Sequence, residues 1–219
     1  PSLPTAQPPG FSRRSFLEQS AAAGAVLASL PAARFAHAAS GNGPLKLALI
    51  GCGGRGSGAA NQALRTDANL KLVAIAELFP ETARNALQNL KMQHPDKVDV
   101  PEERLFFGFE AYKQAIALAD VVILATPCTF RPMMFEEAVR QGKHAFMEKP
   151  VALDSPGVRR VLAAAEEAKR KNLKVGVGLQ RRHKPGYLET VKRVQDGALG
   201  QILYARTFWN MGTARAMVA

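Results

Sequence analysis

The sequence predicts a doubly wound α/β fold, in which a parallel sheet is covered by helices on both faces. Three observations carry this reading: short apolar runs recur along the chain, amphipathic helical patterns separate them, and a glycine-rich turn joins the first run to the first helix. Continuous apolar runs suit strands buried on both faces. Strands that alternate with helices need crossover connections, and those make the sheet parallel.

Taken in order, Gly41-Asn42-Gly43-Pro44 is a cluster of breakers, and Leu45-Lys46-Leu47-Ala48-Leu49-Ile50 directly after it reads as the first strand. Further strands are expected at residues 71–76, 120–125, 144–147 and 174–178, with helices at 56–65, 81–91, 110–118, 132–141 and 156–171. The last helix is the best marked. Ser155 stands where a cap is needed, Pro156 fits the first turn, and Val158, Val161, Leu162, Ala165 and Ala168 make one apolar face. After Gly178 the character changes: Gln180-Arg181-Arg182-His183 leads into a helix at 187–196, a turn at Gly197 and Gly200, and a β-rich run at 202–209. Residues 179–219 therefore read as the start of a second, α+β domain for substrate binding and oligomerisation. It stops without the sheet that its strand would need, and the chain opens on Pro1, so the expectation is a chain cut at both ends.

Composition narrows the function. The 219 residues carry 29 Lys and Arg against 18 Asp and Glu, a formal net charge of +11, with 47% hydrophobic residues. Such a balance permits an anionic partner, yet the basic residues are scattered and several alternate with carboxylates, as Arg159-Arg160 do with Glu166-Glu167. No stripe suited to nucleic acid results, and the excess reads as solvated helix faces and an attraction for anionic cofactors or sugar derivatives. Cys52 and Cys128 have neither disulfide-framework nor metal-ligand spacing, and no apolar run is long enough to span a bilayer permanently. At the front, Ser12-Arg13-Arg14-Ser15-Phe16-Leu17 precedes a weakly apolar stretch at 20–30 and Ala36-His37-Ala38, a small-x-small cleavage pattern. This resembles a twin-arginine signal peptide over 1–38, followed by a linker at 39–44. It implies export to the periplasm by the twin-arginine translocase, already folded, or membrane anchoring where the leader is not cleaved.

The turn Gly51-Cys52-Gly53-Gly54-Arg55-Gly56 matches G-x-G-x-x-G between the first strand and the first helix, the setting that a dinucleotide-binding Rossmann domain requires. Gly51 permits the tight turn, Gly53 lets the backbone approach a pyrophosphate, and Gly56 lets helix and strand pack closely. Glu77 closes the second strand, where a carboxylate accepts hydrogen bonds from the adenosine ribose. It would repel a 2′-phosphate, so NAD is favoured over NADP. Arg55 keeps NADP open, because it could pair with that phosphate, stack on adenine or point into solvent.

A second group lies at the end of the strand at 144–147, in Met147-Glu148-Lys149-Pro150. Open α/β sheets bind ligands at this edge, so Lys149 is expected near the nicotinamide, able to polarise or protonate a substrate oxygen. The segment from Gly142 through Glu148-Lys149-Pro150 to Asp154, with the glycine-rich loop and Ala125-Thr126-Pro127, closely resembles the Gfo/Idh/MocA oxidoreductases, and the match runs over residues 45–178. With the leader, Arg131-Pro132 and Gly178-Leu179-Gln180-Arg181-Arg182-His183, it looks like the exported branch of that family. The resemblance implies hydride transfer, with NAD or NADP, at a carbinol carbon of a sugar, inositol or related polyol. Lys149 would be the catalytic lysine, Glu148 would orient it and the cofactor, Pro150 would fix the bend, and Thr126 and Pro127 would line the nicotinamide ribose. Arg182 and His183 are candidate substrate contacts, with a structural role at the domain junction as the alternative for His183. Arg131 stands where many members carry a His, and the family's acid/base Asp and His are not matched within these residues. A homo-oligomer is the family expectation. Two other readings stay open: a glycosidase that oxidises its sugar transiently, eliminates the substituent and restores the hydride, and a non-catalytic nucleotide-binding module.

Overall fold

The structure, a computed structural model, describes residues 43–208. The export-signal reading of 1–38 lies outside the described residues, as do 39–42 of the linker and 209–219. Six strands form one parallel sheet: β1 (Leu45–Ile50), β2 (Leu70–Glu77), β3 (Leu105–Phe107), β4 (Val121–Leu124), β5 (His144–Met147) and β6 (Val175–Val177), in the spatial order β3-β2-β1-β4-β5-β6. The helices are α1 (Gly54–Leu64), α2 (Pro80–Gln93), α3 (Ala111–Leu118), α4 (Arg131–Arg140), α5 (Ser155–Arg170) and α6 (Pro185–Gln195), with 3-10 turns at Glu102–Arg104 and Gln180–His183. This is the doubly wound Rossmann arrangement that the alternating pattern predicts. No described helix is long and apolar enough to cross a membrane.

Strand alternation distributes the core over two faces. Leu47 and Leu49 of β1, with Leu72, Ile75 and Ile123, pack beneath α1 and α2. Ala48 and Ile50, with Ala74, Ala76, Val122 and Leu124, pack beneath α3, α4 and α5, where Phe135 is fully buried. Both faces are covered where the strands are central, and this is why β1, β2 and β4 read as unbroken apolar runs.

Three local expectations need correction. The cap of α5 is Asp154, whose Oδ1 accepts from the Gly157 N–H at 2.7 Å, and Ser155 is already the first helical residue. The buried stripe of α5 is Gly157, Val161, Ala164 and Ala168, whereas Val158 and Leu162 are exposed; they sit one position beyond the stripe, about 100° around the helix. The run at 202–208 is not a strand: its residues are exposed and pair with nothing described, and strand propensity without a neighbouring ladder leaves N–H and C=O groups to water. Conversely, β3 was not anticipated. It pairs with β2 through Ile75, Ala76 and Glu77.

Candidate functional site

Strand order reverses between β1 and β4, which pair directly, so the loops that follow them diverge to opposite sides of the sheet and open a crevice at its carboxyl edge. Gly51 directly follows β1 with φ +86°, and a Cβ there would come within 2.7 Å of the Thr126 nitrogen in the loop after β4. At Gly56 a Cβ would come within 1.9 Å of the Gly51 carbonyl oxygen. Both positions are therefore closed to any side chain. Gly53 is different: nothing lies within 4 Å of a Cβ built there, so its hydrogen faces open space. It is the N-cap of α1, which no side chain caps and which has no acidic residue in its first turn. The unpaired N–H groups and positive dipole end of such a helix favour an anion.

Glu77 is fixed by backbone donors. The Cys52 N–H reaches its Oε2 at 2.6 Å, and the Leu78 N–H reaches its Oε1 at 2.8 Å. Thus the carboxylate at the end of β2 is tied to the glycine-rich loop at the end of β1. Cys52 itself is core: its thiol is buried against the Ala76 carbonyl, and burial, with the Glu77 charge added, pushes its pKa far above the ordinary thiol range. Its contribution at this edge is the main-chain N–H rather than the side chain.

A cavity of about 330 Å³ opens here, lined by Gly51, Gly53, Glu77, Leu78, Phe79, Thr82, Phe109, Tyr112, Thr126, Pro127, Phe130 and Met134 among others. Phe109 and Phe130 lie 6.0 Å apart across a tilted ring contact. The cavity is apolar apart from Glu77, Thr82, Tyr112, Thr126 and main-chain groups, a setting suited to a flat heterocycle with a polar sugar attached. Of the residues singled out from sequence, Gly51, Gly53, Glu77, Thr126 and Pro127 meet at this cavity. The aromatic lining, Phe79, Phe109 and Phe130, belongs to no motif in the sequence; each lies in a loop that follows a strand end, and that position is its signal.

Glu148, Lys149 and Pro150 leave β5 at the same edge without lining the cavity. Lys149 and Pro150 are exposed, and the peptide bond between them is cis. Glu148 is 5% exposed, packed so closely beneath Gly178 that a Cβ there would come within 2.6 Å of its Oε1. Arg55 reaches this carboxylate, with Nη2 2.7 Å and Nε 2.8 Å from Oε1. Of the three roles open to Arg55 the structure gives it a fourth, an ion pair that ties the glycine-rich loop to the lysine segment. Arg131 is also buried, and its guanidinium donates to the carbonyls of Thr126 and Pro150. Arg182 and His183 lie in the exposed 3-10 turn at Gln180–His183, away from the cavity lining.

Comparison with known proteins agrees with this geometry. The Gfo/Idh/MocA profile, described as an oxidoreductase family with an NAD-binding Rossmann fold, matches residues 45–178. The inositol 2-dehydrogenase of Rhizobium meliloti (strain 1021) is 30% identical over 158 residues, 72% of this chain and 43% of that protein. Among solved structures, the myo-inositol 2-dehydrogenase from Lactobacillus plantarum superposes with a TM-score of 0.58 at 27% identity, covering 74% of this chain and 44% of the other. The scyllo-inositol dehydrogenase from Lactobacillus casei with bound NAD(H) and scyllo-inositol gives 0.56 at 26% identity, covering 72% and 42%. The chain thus spans less than half the length of these relatives.

Proposed function

The chain belongs to the Gfo/Idh/MocA oxidoreductase family and carries its NAD-binding Rossmann fold, and from this premise we propose that the protein is an NAD-dependent oxidoreductase acting at a secondary hydroxyl of a cyclic polyol such as an inositol. The observation that carries the reading is the Arg55–Glu148 ion pair at 2.7 Å, because it draws the dinucleotide loop against the segment bearing Lys149. The residues present fit the cofactor. Gly53 leaves room for a pyrophosphate on the start of α1, Glu77 is oriented beside an apolar cavity, and two short backbone bonds leave its carboxylate acceptor capacity for a ribose diol.

When bound, the nicotinamide supplies the hydride acceptor or donor. The chain's own part is to hold the two reacting carbons close together and to manage the proton. Lys149, exposed at the sheet edge, hydrogen-bonds the reacting oxygen through Nζ, accepting the hydroxyl proton in oxidation and donating it back to the carbonyl oxygen in reduction. The polyol substrate class is supported by the inositol dehydrogenases to which the chain is similar.

Two measurements on the full-length protein test the proposal. Nucleotide released on denaturation should be NAD or NADH by mass spectrometry, or NAD should bind when added back. With myo- or scyllo-inositol and NAD, Lys149→Met should lower kcat by roughly 10²–10⁴-fold while the variant still binds NAD through Glu77 and the glycine-rich loop. Full activity in that variant would remove Lys149 from the chemistry, and failure to bind any nicotinamide nucleotide would end the enzyme reading.

A further inference from the structure

Arg131 opens α4 with only 3% of its surface exposed, and it shares with Glu148 the distinction of being a charged side chain buried among the described residues. Glu148 has Arg55 as its partner. Arg131 has no carboxylate in direct contact: Nη1 donates to the Pro150 carbonyl, Nη2 donates to the Thr126 carbonyl, and Nε has no acceptor among the described residues. Burying a cation in this way is costly, and a methionine would fill a similar volume without that cost. Desolvation lowers the pKa of the guanidinium, the nearby Cys128 and Glu148 oppose that shift, and arginine stays protonated throughout the working range.

The two carbonyls explain the arrangement. Thr126 lies in the loop after β4 and Pro150 in the loop after β5, strands that pair in parallel with Leu124 opposite Met147. One loop lines the cavity and the other carries Lys149. The rigid fork of an arginine can hold both carbonyls at once, which the single point charge of a lysine does less well. We propose that Arg131 is a positioning residue that sets the spacing between the Thr126–Pro127 wall and Lys149, and so governs how the nicotinamide end of the dinucleotide is held. The adenosine end depends instead on Glu77 and the glycine-rich loop. This inference rests on the NAD reading given above.

The test compares two ligands on the full-length protein: NADH, followed by its own nicotinamide fluorescence, and ADP-ribose, which lacks the nicotinamide, followed by calorimetry. Arg131→Met should weaken NADH about tenfold or more, as loss of a buried charged donor to two carbonyls implies, and leave ADP-ribose within about twofold. Arg131→Lys should recover part of the NADH affinity. A parallel loss for both ligands, or no change for either, would overturn the proposal by leaving Arg131 a purely structural role or none. Should the methionine variant not fold, the lysine variant decides alone: a deficit confined to NADH supports the clamp, and unchanged affinity for both ligands refutes it. Wild-type protein that binds neither ligand would instead refute the NAD reading, and the clamp with it.

Discussion

On the proposed NAD reading, Glu77 is the residue on which the choice of dinucleotide turns. Its carboxylate is held at the cavity by the Cys52 and Leu78 N–H groups, so it cannot swing away from a 2′-phosphate, and the one basic residue of the loop, Arg55, is committed to Glu148. Glu77→Gln keeps an acceptor oxygen and removes the charge. This variant should bind NAD within several-fold of wild type and bind NADP more tightly, whereas Glu77→Ser should weaken NAD by about tenfold to a hundredfold, the worth of charge-assisted hydrogen bonds. Dissociation constants for both dinucleotides check this, and an unchanged NADP affinity in both variants would show that the carboxylate does not exclude the phosphate. At this scale the sequence was only partly legible. Glycines that need φ above zero or close approach, and a carboxylate at a strand end, are marked by residue type and spacing alone. The Arg55–Glu148 pair joins residues 93 positions apart, and the Arg131 clamp acts on carbonyls that have no side-chain signature. Such contacts exist only once the sheet has brought three loops to one edge.

Elements were legible in proportion to the length of their patterns. β1, β2, β4 and β5 are apolar runs bounded by breakers, and the observed strands differ from the expected ones by a residue or so at their ends. β3 is three residues, Leu105–Phe107, too short for any period to show; its place in the sheet is set by β2 beside it. The run at 202–208 fails for the opposite reason, because its propensity is plain and no strand among the described residues pairs with it. Caps turn on single atoms, and the α5 start shows how two adjacent candidates are separated. Asp154 has extended backbone, φ −137° and ψ 171°, and its Oδ1 reaches the Gly157 N–H at 2.7 Å, two positions past the first helical residue. A Cβ at Gly157 would meet that same Oδ1 at 2.8 Å and the Pro132 ring at 3.2 Å, so the cap and the approach of α5 to α4 depend on the same bare position. Asp154→Ala should destabilise the fold by about 1 kcal/mol, and Ser155→Ala by no more than a few tenths, measured as a shift in the urea midpoint at constant m-value. The reverse ranking would return the cap to Ser155.

For the whole molecule, the decisive feature is that the cavity is shared between the two halves of the sheet. The end of β2 supplies Glu77, the loops after β1 and β3 supply Gly53 and Phe109, and the loop after β4 supplies Thr126, Pro127 and Phe130. A ligand seated there touches both sides of the strand reversal and binds only the state in which β1 and β4 are paired. Its binding energy then stabilises the sheet as one cooperative unit. At a free concentration one hundred times the dissociation constant, NAD should add about 2.7 kcal/mol. For a domain of this size that raises Tm by roughly 5–10 °C. The transition should move as a whole, with far-ultraviolet circular dichroism and calorimetry giving the same shifted midpoint. Were the halves to unfold independently, a ligand held by the β1–β3 half alone would stabilise that half and leave β4–β6 to melt at its old temperature, splitting the transition in two. Splitting would therefore refute the shared cavity even if NAD binds, and no shift at saturating NAD would refute the seat itself. Because the dinucleotide is anionic and the chain carries a net charge of +11, the stabilisation at a fixed NAD concentration should also shrink as salt is added, through a weaker dissociation constant.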